Sequence, residues 1–198
     1  MAGGLNRRAE QAGDTRAALV RAARALFAEK GFHAAGTPEI VARAGVTRGA
    51  LQHHFARKDD LFLAVFEQVQ QDMAEASAAP AQGKAGETWL QLKANLTRFL
   101  DAATKREVQR IILIDGPAVL GWAEWRRLEA HYGLGVIERG VIDGIQAGLI
   151  AKQDARPLAH LILSIIDEAA LMIAHAADPD KARASATRAL QTLLSSLD

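Results

Sequence analysis

The sequence predicts an all-α protein of about nine helices, with a small three-helix domain at the N-terminus and a larger helical domain after it. Alanine and leucine, which have high helix propensity, dominate the apolar residues of the 198-residue chain. Apolar side chains recur every three or four residues, and no segment shows the sustained alternation of a β-strand. We place the domain boundary near residue 60, which gives domains of 1–60 and 61–198.

The first sixty residues contain the start and stop signals of three helices. Thr37 and Thr47 each stand where a hydroxyl group can cap a helix, and Pro38 suits a first helical position. Gly31 and Gly45 stand where a left-handed residue can end one. The predicted segments are a flexible arm at 1–13, a helix at about 14–30, and helices at Thr37–Ala44 and Thr47–Phe55.

The larger domain is predicted to contain six helices. Pro80 and Gly83 mark residues 76–86 as a linker, and Asp115-Gly116-Pro117 is typical of a turn. Glycines within the longest helix are expected to weaken it. The predicted helices lie at about 60–75, 87–103, 105–114, 119–148, 157–176 and 179–197.

Composition and charge exclude several classes of protein. The lack of cysteine excludes disulfides, thiolate metal sites and cysteine nucleophiles. No apolar run is long enough to cross a membrane, and the polar N-terminus does not resemble a signal peptide, so we expect a cytoplasmic protein without a membrane partner. Residues 1–60 carry ten Lys and Arg against six Asp and Glu. This surplus is compatible with binding to phosphate, although chance also produces a surplus of this size.

The two short helices Thr37–Ala44 and Thr47–Phe55, joined by Gly45, are typical of a helix-turn-helix. Their apolar positions are spaced to pack the two helices on each other and on the preceding helix. The outer face of the second helix then presents Arg48 and Gln52, which can form paired hydrogen bonds with guanine and adenine in the major groove. The motif therefore predicts sequence-specific binding to double-stranded DNA.

Nine residues are predicted to contact DNA. Gly49 allows close approach to the groove, while Thr37 and Lys58, each near the start of a helix, suit contacts with phosphate. The alternative is a helical hairpin inside another bundle, with these polar residues merely solvated. The predicted set is Thr37, Thr47, Arg48, Gly49, Ala50, Gln52, His53, His54 and Lys58.

Two segments resemble the DNA-binding domain of tetracycline-repressor (TetR) family regulators: TRAALVRAARALFAEKGF at 15–32 and TPEIVARAGVTRGALQHHFARKDDLF at 37–62. The resemblance implies that the third helix reads bases and that residues near 37, 53, 54 and 58 hold the DNA backbone. It also implies a repressor that leaves its operator when a small effector, expected to be hydrophobic, binds the second domain. One departure is Gln52, where the family usually has tyrosine, so the operator sequence cannot be copied from relatives. A second is Gly36 and Pro38, which leave Thr37 as the only hydroxyl cap there.

Aromatic residues in the middle of the chain are candidates for an effector pocket, because ligand sites between helices are apolar with a few polar groups. Packing in the core is the alternative for each of them. The candidate set is Trp89, Phe99, Trp122, Trp125 and His160.

The helix predicted at 157–176 is apolar on nearly all sides, which is more than packing inside one subunit requires. Together with the last helix it predicts a symmetric homodimer, and hence a palindromic operator. The alternative is that the surplus apolar face packs under residues 87–148 in a monomer. The predicted interface is Leu161, Ile165, Ala169, Met172, Ala186, Leu190, Leu193 and Leu197.

We expect no catalytic residue, metal or cofactor. His53 and His54 are adjacent and so point in different directions on a helix. Asp167 and Glu168 interrupt an apolar helix, which indicates that at least one faces a cavity or a partner subunit. Two rival functions stay open: a dimeric DNA-binding regulator that takes no ligand, and a small helical enzyme or carrier.

Overall fold

The computed structural model describes residues 2–77 and 86–197. Within these residues it contains helices and no strand, which confirms the all-α prediction. Two of its helices each include a π-helical stretch, at Gln109–Asp115 and Ala130–Leu134. The helices are α1 (Ala2–Ala34), α2 (Thr37–Ala44), α3 (Arg48–His54), α4 (Lys58–Ser77), α5 (Glu87–Ala103), α6 (106–120), α7 (122–146), α8 (Ala155–His175) and α9 (Pro179–Ser195).

The N-terminal helix differs from its prediction at both ends. Helix α1 begins at Ala2, so residues predicted as a flexible arm are helical instead. The physical reason is that residues 2–12 are rich in helix formers, which extend a helix already nucleated by its packed part. Gly31 leaves helical geometry at φ 83° and ψ 169°, as predicted, but one more turn follows it. Of the predicted linker at 76–86, residues 78–85 lie outside the described chain.

The helix-turn-helix forms as predicted, with one correction at its first cap. Gly36 is the N-cap of α2 and accepts the Ile40 N–H at 3.1 Å, so Thr37 is already inside the helix and does not cap it. Gly45 ends α2 in the left-handed conformation at φ 67°. Thr47 caps α3, and its hydroxyl accepts the Ala50 N–H at 3.1 Å.

The segment Asp115-Gly116-Pro117 is not a turn. It lies inside α6, where the wider π-helical stretch directly before it accommodates a proline that lacks an N–H group. The real break is at Gly121, with φ 80° and ψ 155°, which shortens the predicted 119–148 helix from its N-terminal side. Helix α8 begins at Ala155, two residues before Pro157, because Asp154 caps it there.

Two apolar cores hold the helices together. The N-terminal core joins α1–α4 to α6 and to Trp125 of α7, so the helix-turn-helix shares its core with the larger domain. The C-terminal core joins α5, α7, α8 and α9 around Trp89. Because α6 packs on the end of α1, the larger domain is in direct contact with the first helix of the N-terminal domain.

Helix α8 is long and apolar enough to span a membrane by length and composition alone. Its inner side, however, packs in the C-terminal core through Ile162, Ile166 and Ile173. Its outer side exposes Leu161 and Met172, at 62% and 59%. A helix with one side in a protein core and the other exposed matches the predicted interface helix.

Candidate DNA-binding surface and internal cavity

Helix α3 presents one polar face. Leu51 and the following Phe55 are buried in the N-terminal core, which fixes the rotation of the helix. The residues of α3 that precede Leu51 or lie between Leu51 and Phe55 therefore point outward. Thr47, Arg48, Gly49, Gln52 and His53 are exposed, and Ala50 and His54 are half-buried.

A cleft of about 160 Å³ is lined by residues of three helices that are predicted to contact DNA. Thr37 of α2, Arg48 and Gln52 of α3, and Lys58 of α4 all line it. Arg57 also lines the cleft and was missed, although it adjoins Lys58 in the polar stretch before α4. The predicted base-reading and phosphate-binding residues thus form one continuous surface.

Lys58 is more constrained than its sequence position indicates. Its ammonium group donates a hydrogen bond to the Phe32 carbonyl and lies 4.2 Å from the centre of the Phe32 ring. Burial lowers the pKa of Lys58, while Asp59 and Asp115 act in the opposite direction. Lys58 therefore links α4 to the end of α1, and its contact with phosphate stays a prediction.

A second cavity, of about 120 Å³, lies between α4, α5, α7 and α8. Its wall is mainly apolar, and part of it comes from the π-helical stretch of α7. Of the five predicted pocket residues, Phe99 lines it. The lining is Gln70, Met73, Ala74, Leu92, Asn95, Leu96, Phe99, Glu129, Tyr132, Gly133, Val136, Ile137, Leu163 and Ile166.

The other four predicted residues lie elsewhere. Trp89 is fully buried in the C-terminal core, and Trp125 is buried with its indole N–H donating to the Ile112 carbonyl at 3.0 Å. Trp122 and His160 are exposed. Large aromatic rings fill core volume, so they occupy the space that a cavity would need.

A buried polar chain borders the cavity. Gln70 donates to Glu129, whose carboxyl lies within hydrogen-bonding range of Asp167. Arg126 donates to Asp167 at 2.6 Å and to Ser164 at 3.0 Å. Burial, and then the charge of Asp167, raise the pKa of Glu129 well above its usual range, and burial raises the pKa of Asp167 to about 6.

Sequence reasoning missed Glu129 but expected one acidic residue of α8 to be enclosed. Asp167 is that residue, whereas Glu168 is exposed. Glu129 lies four positions after Trp125, and Tyr132 lies seven positions after Trp125, so all three share one helical face. An acidic residue on the buried face of a helix is the signal that identifies this position.

The predicted dimer residues divide into two groups. Exposed positions on the outer side of α8 and α9 are Leu161, Ile165, Met172 and Leu193. Leu190, Ala169 and Ala186 are instead buried inside their own subunit, because α8 and α9 pack on each other through them. Leu197 is half-buried. A dimer would therefore use the first group.

Two family models match the chain. Bacterial regulatory proteins of the tetR family match residues 19–65, which contain the helix-turn-helix. The tetracyclin repressor-like C-terminal domain matches residues 89–197, more than half of the chain. The chain belongs to the TetR family. This TetR-family chain is accordingly a DNA-binding transcriptional regulator, as its sequence predicted.

Individual relatives agree with this assignment. The TetR-family chain is 33% identical to a TetR-family transcriptional regulator from Pectobacterium atrosepticum, with a TM-score of 0.82 over 95% of this chain and 96% of that one. It is 29% identical to the TetC protein of transposon Tn10 from Escherichia coli over 157 residues, 79% of each chain. The regulator FadR of Bacillus subtilis, solved with stearoyl-CoA, shares the fold at 21% identity and a TM-score of 0.67, over 91% of this chain and 98% of that one.

Proposed function

We propose that this regulator is a cytoplasmic repressor that binds a palindromic operator through α3 as a homodimer and leaves it when a small molecule occupies the cavity. The observation that carries the proposal is the single outward face on which Arg48, Gln52 and His53 stand beside the cleft-lining Thr37 and Lys58. We assign DNA binding to residues up to about 60 and effector binding and dimerisation to the rest.

Arg48 is the strongest candidate for reading a base. It is exposed at the first position of α3, and the described residues provide it with no ion-pair partner. Its guanidinium is therefore available for the paired hydrogen bonds that arginine makes with guanine. Nearby basic residues are engaged with carboxylates: Lys30 with Glu39 at 2.7 Å, Arg43 with Glu29 at 2.8 Å and Arg57 with Asp60 at 3.7 Å.

The exposed apolar side of α8 and α9 supports the homodimer. Large apolar side chains clustered on one surface favour a partner that covers them. Two copies of an antiparallel helix pair make a symmetric four-helix interface, and a twofold protein axis suits a palindromic site.

The cavity supports a ligand-responsive regulator over one that only dimerises. Its volume is close to the roughly 150 Å³ of a cavity that holds benzene, so it admits a small molecule as it stands and a larger one if its walls move. FadR of Bacillus subtilis holds stearoyl-CoA within the same fold. To release DNA, the effector must bind the form that is unable to hold the operator more tightly than the form that holds it.

Selection of bound sequences from random DNA, followed by affinity measurements over a salt series, tests the proposal. We expect Arg48→Ala and Gln52→Ala to reduce the preference for the selected operator by about 1–3 kcal/mol each. Lys58→Ala should weaken binding to operator and scrambled DNA about equally, with a smaller salt dependence. Arg139→Ala, an exposed arginine on α7, is the matched control and should change neither. An unchanged operator preference in Arg48→Ala contradicts the assignment of the base-reading face.

A further inference from the structure

The described lining of the cavity contains one acidic group and no basic one. Among the lining residues that the structure describes, Glu129 is the only carboxylic acid, and none is lysine, arginine or histidine. Two aromatic rings, from Phe99 and Tyr132, complete the same wall. A half-open, largely apolar pocket with one carboxyl group discriminates between ligands of different charge.

The groups that face Glu129 explain how its carboxyl is tolerated beside an apolar wall. From α8 it meets Asp167, from α4 the neutral Gln70, and on its own helix Arg126 is the nearby cation. The Asp167 oxygen Oδ1 is buried and accepts no hydrogen bond from the described residues. A proton on Glu129 would make its carboxyl a hydrogen-bond donor toward Asp167, the acidic side chain beside it. The two carboxyl groups, one shared proton and Arg126 are then neutral overall.

A cationic ligand preserves this neutrality. When its positive charge enters the cavity, Glu129 can release the proton and pair with the ligand, and the buried group stays neutral. An anionic ligand finds no cationic side chain among the described lining residues and adds a negative charge beside two carboxyl groups. Burial of an uncompensated charge is expensive, so the cavity selects against anions, including molecules with the phosphate groups of a CoA thioester.

We propose that the effector is a small apolar molecule with one ammonium-type cationic centre, and that this centre pairs with Glu129. Phe99 and Tyr132 also line the cavity, and aromatic rings can offer a further attraction to such a cation. The inference rests on the proposed effector role of the cavity and specifies the chemistry of its ligand.

Isothermal titration calorimetry of the full-length protein with three probes tests the proposal. Phenyltrimethylammonium is a cation that has no proton of its own to release, tert-butylbenzene is its neutral isostere, and phenylacetate is an anion. We expect Glu129→Gln to weaken binding of the cation by about tenfold or more. Its affinity for the neutral isostere should stay within about twofold of the wild-type affinity. Glu124→Gln, which removes an exposed carboxylate from the same helix, is the matched control and should change neither affinity. Phenylacetate should not bind.

A measurement on the wild-type protein avoids dependence on the folding of a variant. In two buffers with different ionisation enthalpies, binding of phenyltrimethylammonium at neutral pH should release about one proton, and binding of tert-butylbenzene should release none. Failure of the cation to bind, equal affinities in wild type and Glu129→Gln, or the absence of proton release overturns the proposal. The operator measurements with Arg48→Ala are independent of all three probes, so they test the proposed regulator separately.

Discussion

The carboxylate of Asp115 accepts the backbone N–H of Phe32 at 2.7 Å, although the two residues are 83 positions apart. Lys58 donates to the carbonyl group of Phe32, and Arg106 donates to the Glu29 carbonyl at 2.8 Å. The end of α1 is therefore held on one side by α6 of the larger domain and on the other by α4. This connection is a direct physical route between the cavity-bearing domain and the helix-turn-helix.

Asp115→Ala should destabilise the protein by about 2–4 kcal/mol, because it leaves the buried Phe32 N–H without its acceptor and removes the partner of Arg110. Urea unfolding followed by circular dichroism measures this loss. Asp101→Ala, which removes an exposed carboxylate paired with Arg183, is the control and should cost less than about 1 kcal/mol. Equal losses in the two variants would show that the contact between Asp115 and Phe32 contributes little.

Substitution of Gly31 should cost more stability than substitution of a glycine that has a similar backbone conformation but open space around it. At φ 83° and ψ 169°, an alanine there is strained, and its Cβ would lie 2.1 Å from Nη2 of Arg110. Gly31→Ala is therefore expected to cost about 1–3 kcal/mol of stability from the backbone alone, and more from displacement of the arginine.

Gly121 provides the matched control for this effect. It has φ 80° and ψ 155°, and an added Cβ would meet nothing within 4 Å. Gly121→Ala should thus show the backbone cost only. In an Arg110→Ala background the penalty of Gly31→Ala should fall toward that of Gly121→Ala, and an unchanged difference would contradict the steric explanation. Thermal unfolding of the five proteins provides the comparison.

The local elements of this fold could be predicted because their determinants are local. The cap at Thr47 and the left-handed Gly45 each depend on residues within one turn, and the structure has both. The role of Asp115 could not be found in this way. In the sequence it belongs to an Asp-Gly-Pro turn signal, whereas its actual partner is the backbone of Phe32, a contact that only the tertiary fold creates.

The cavity illustrates the same limit. Aromatic side chains were expected to line it, but Trp89 and Trp125 fill the two cores, and the wall is built mainly from smaller apolar groups. Periodicity places a residue on the inner side of a helix. It does not tell whether the space in front of that residue is filled by a neighbour or left open, because that depends on how several helices meet.

A double variant on the outer side of α8, Leu161→Glu with Met172→Glu, should convert the dimer to a monomer at micromolar concentration. Four carboxylates would then face one another across the twofold interface, where apolar groups otherwise pack. Sedimentation equilibrium measures the change, and operator affinity should fall with it. Leu190→Glu is unsuitable for this test, because Leu190 is only 2% exposed and its replacement would unfold the subunit.

Leu90→Glu is the control for the interface. Leu90 is 56% exposed on α5, which is not one of the two helices of the proposed interface, so the substitution should leave the dimer intact. A double variant that still sediments as a dimer would place the interface elsewhere on the surface.

The Glu129–Asp167 pair should make stability depend on pH. Both groups have a folded pKa above the ordinary value, and that of Asp167 rises from 3.8 to about 6. Groups of this kind stabilise the fold fully below their unfolded pKa, and the contribution disappears as the pH rises through the folded pKa. The wild type should therefore lose stability relative to Glu129→Gln as the pH rises from 5 to 8.

Urea unfolding of both proteins at the two pH values provides the measurement. Glu124→Gln is the control, because Arg127 lowers the pKa of Glu124 and that carboxylate stays ionised throughout the range. Its effect on stability should be the same at pH 5 and pH 8. If the difference between wild type and Glu129→Gln is also independent of pH, Glu129 is ionised across this range in the folded protein, and the buried pair does not share the proton that a cationic effector is proposed to replace.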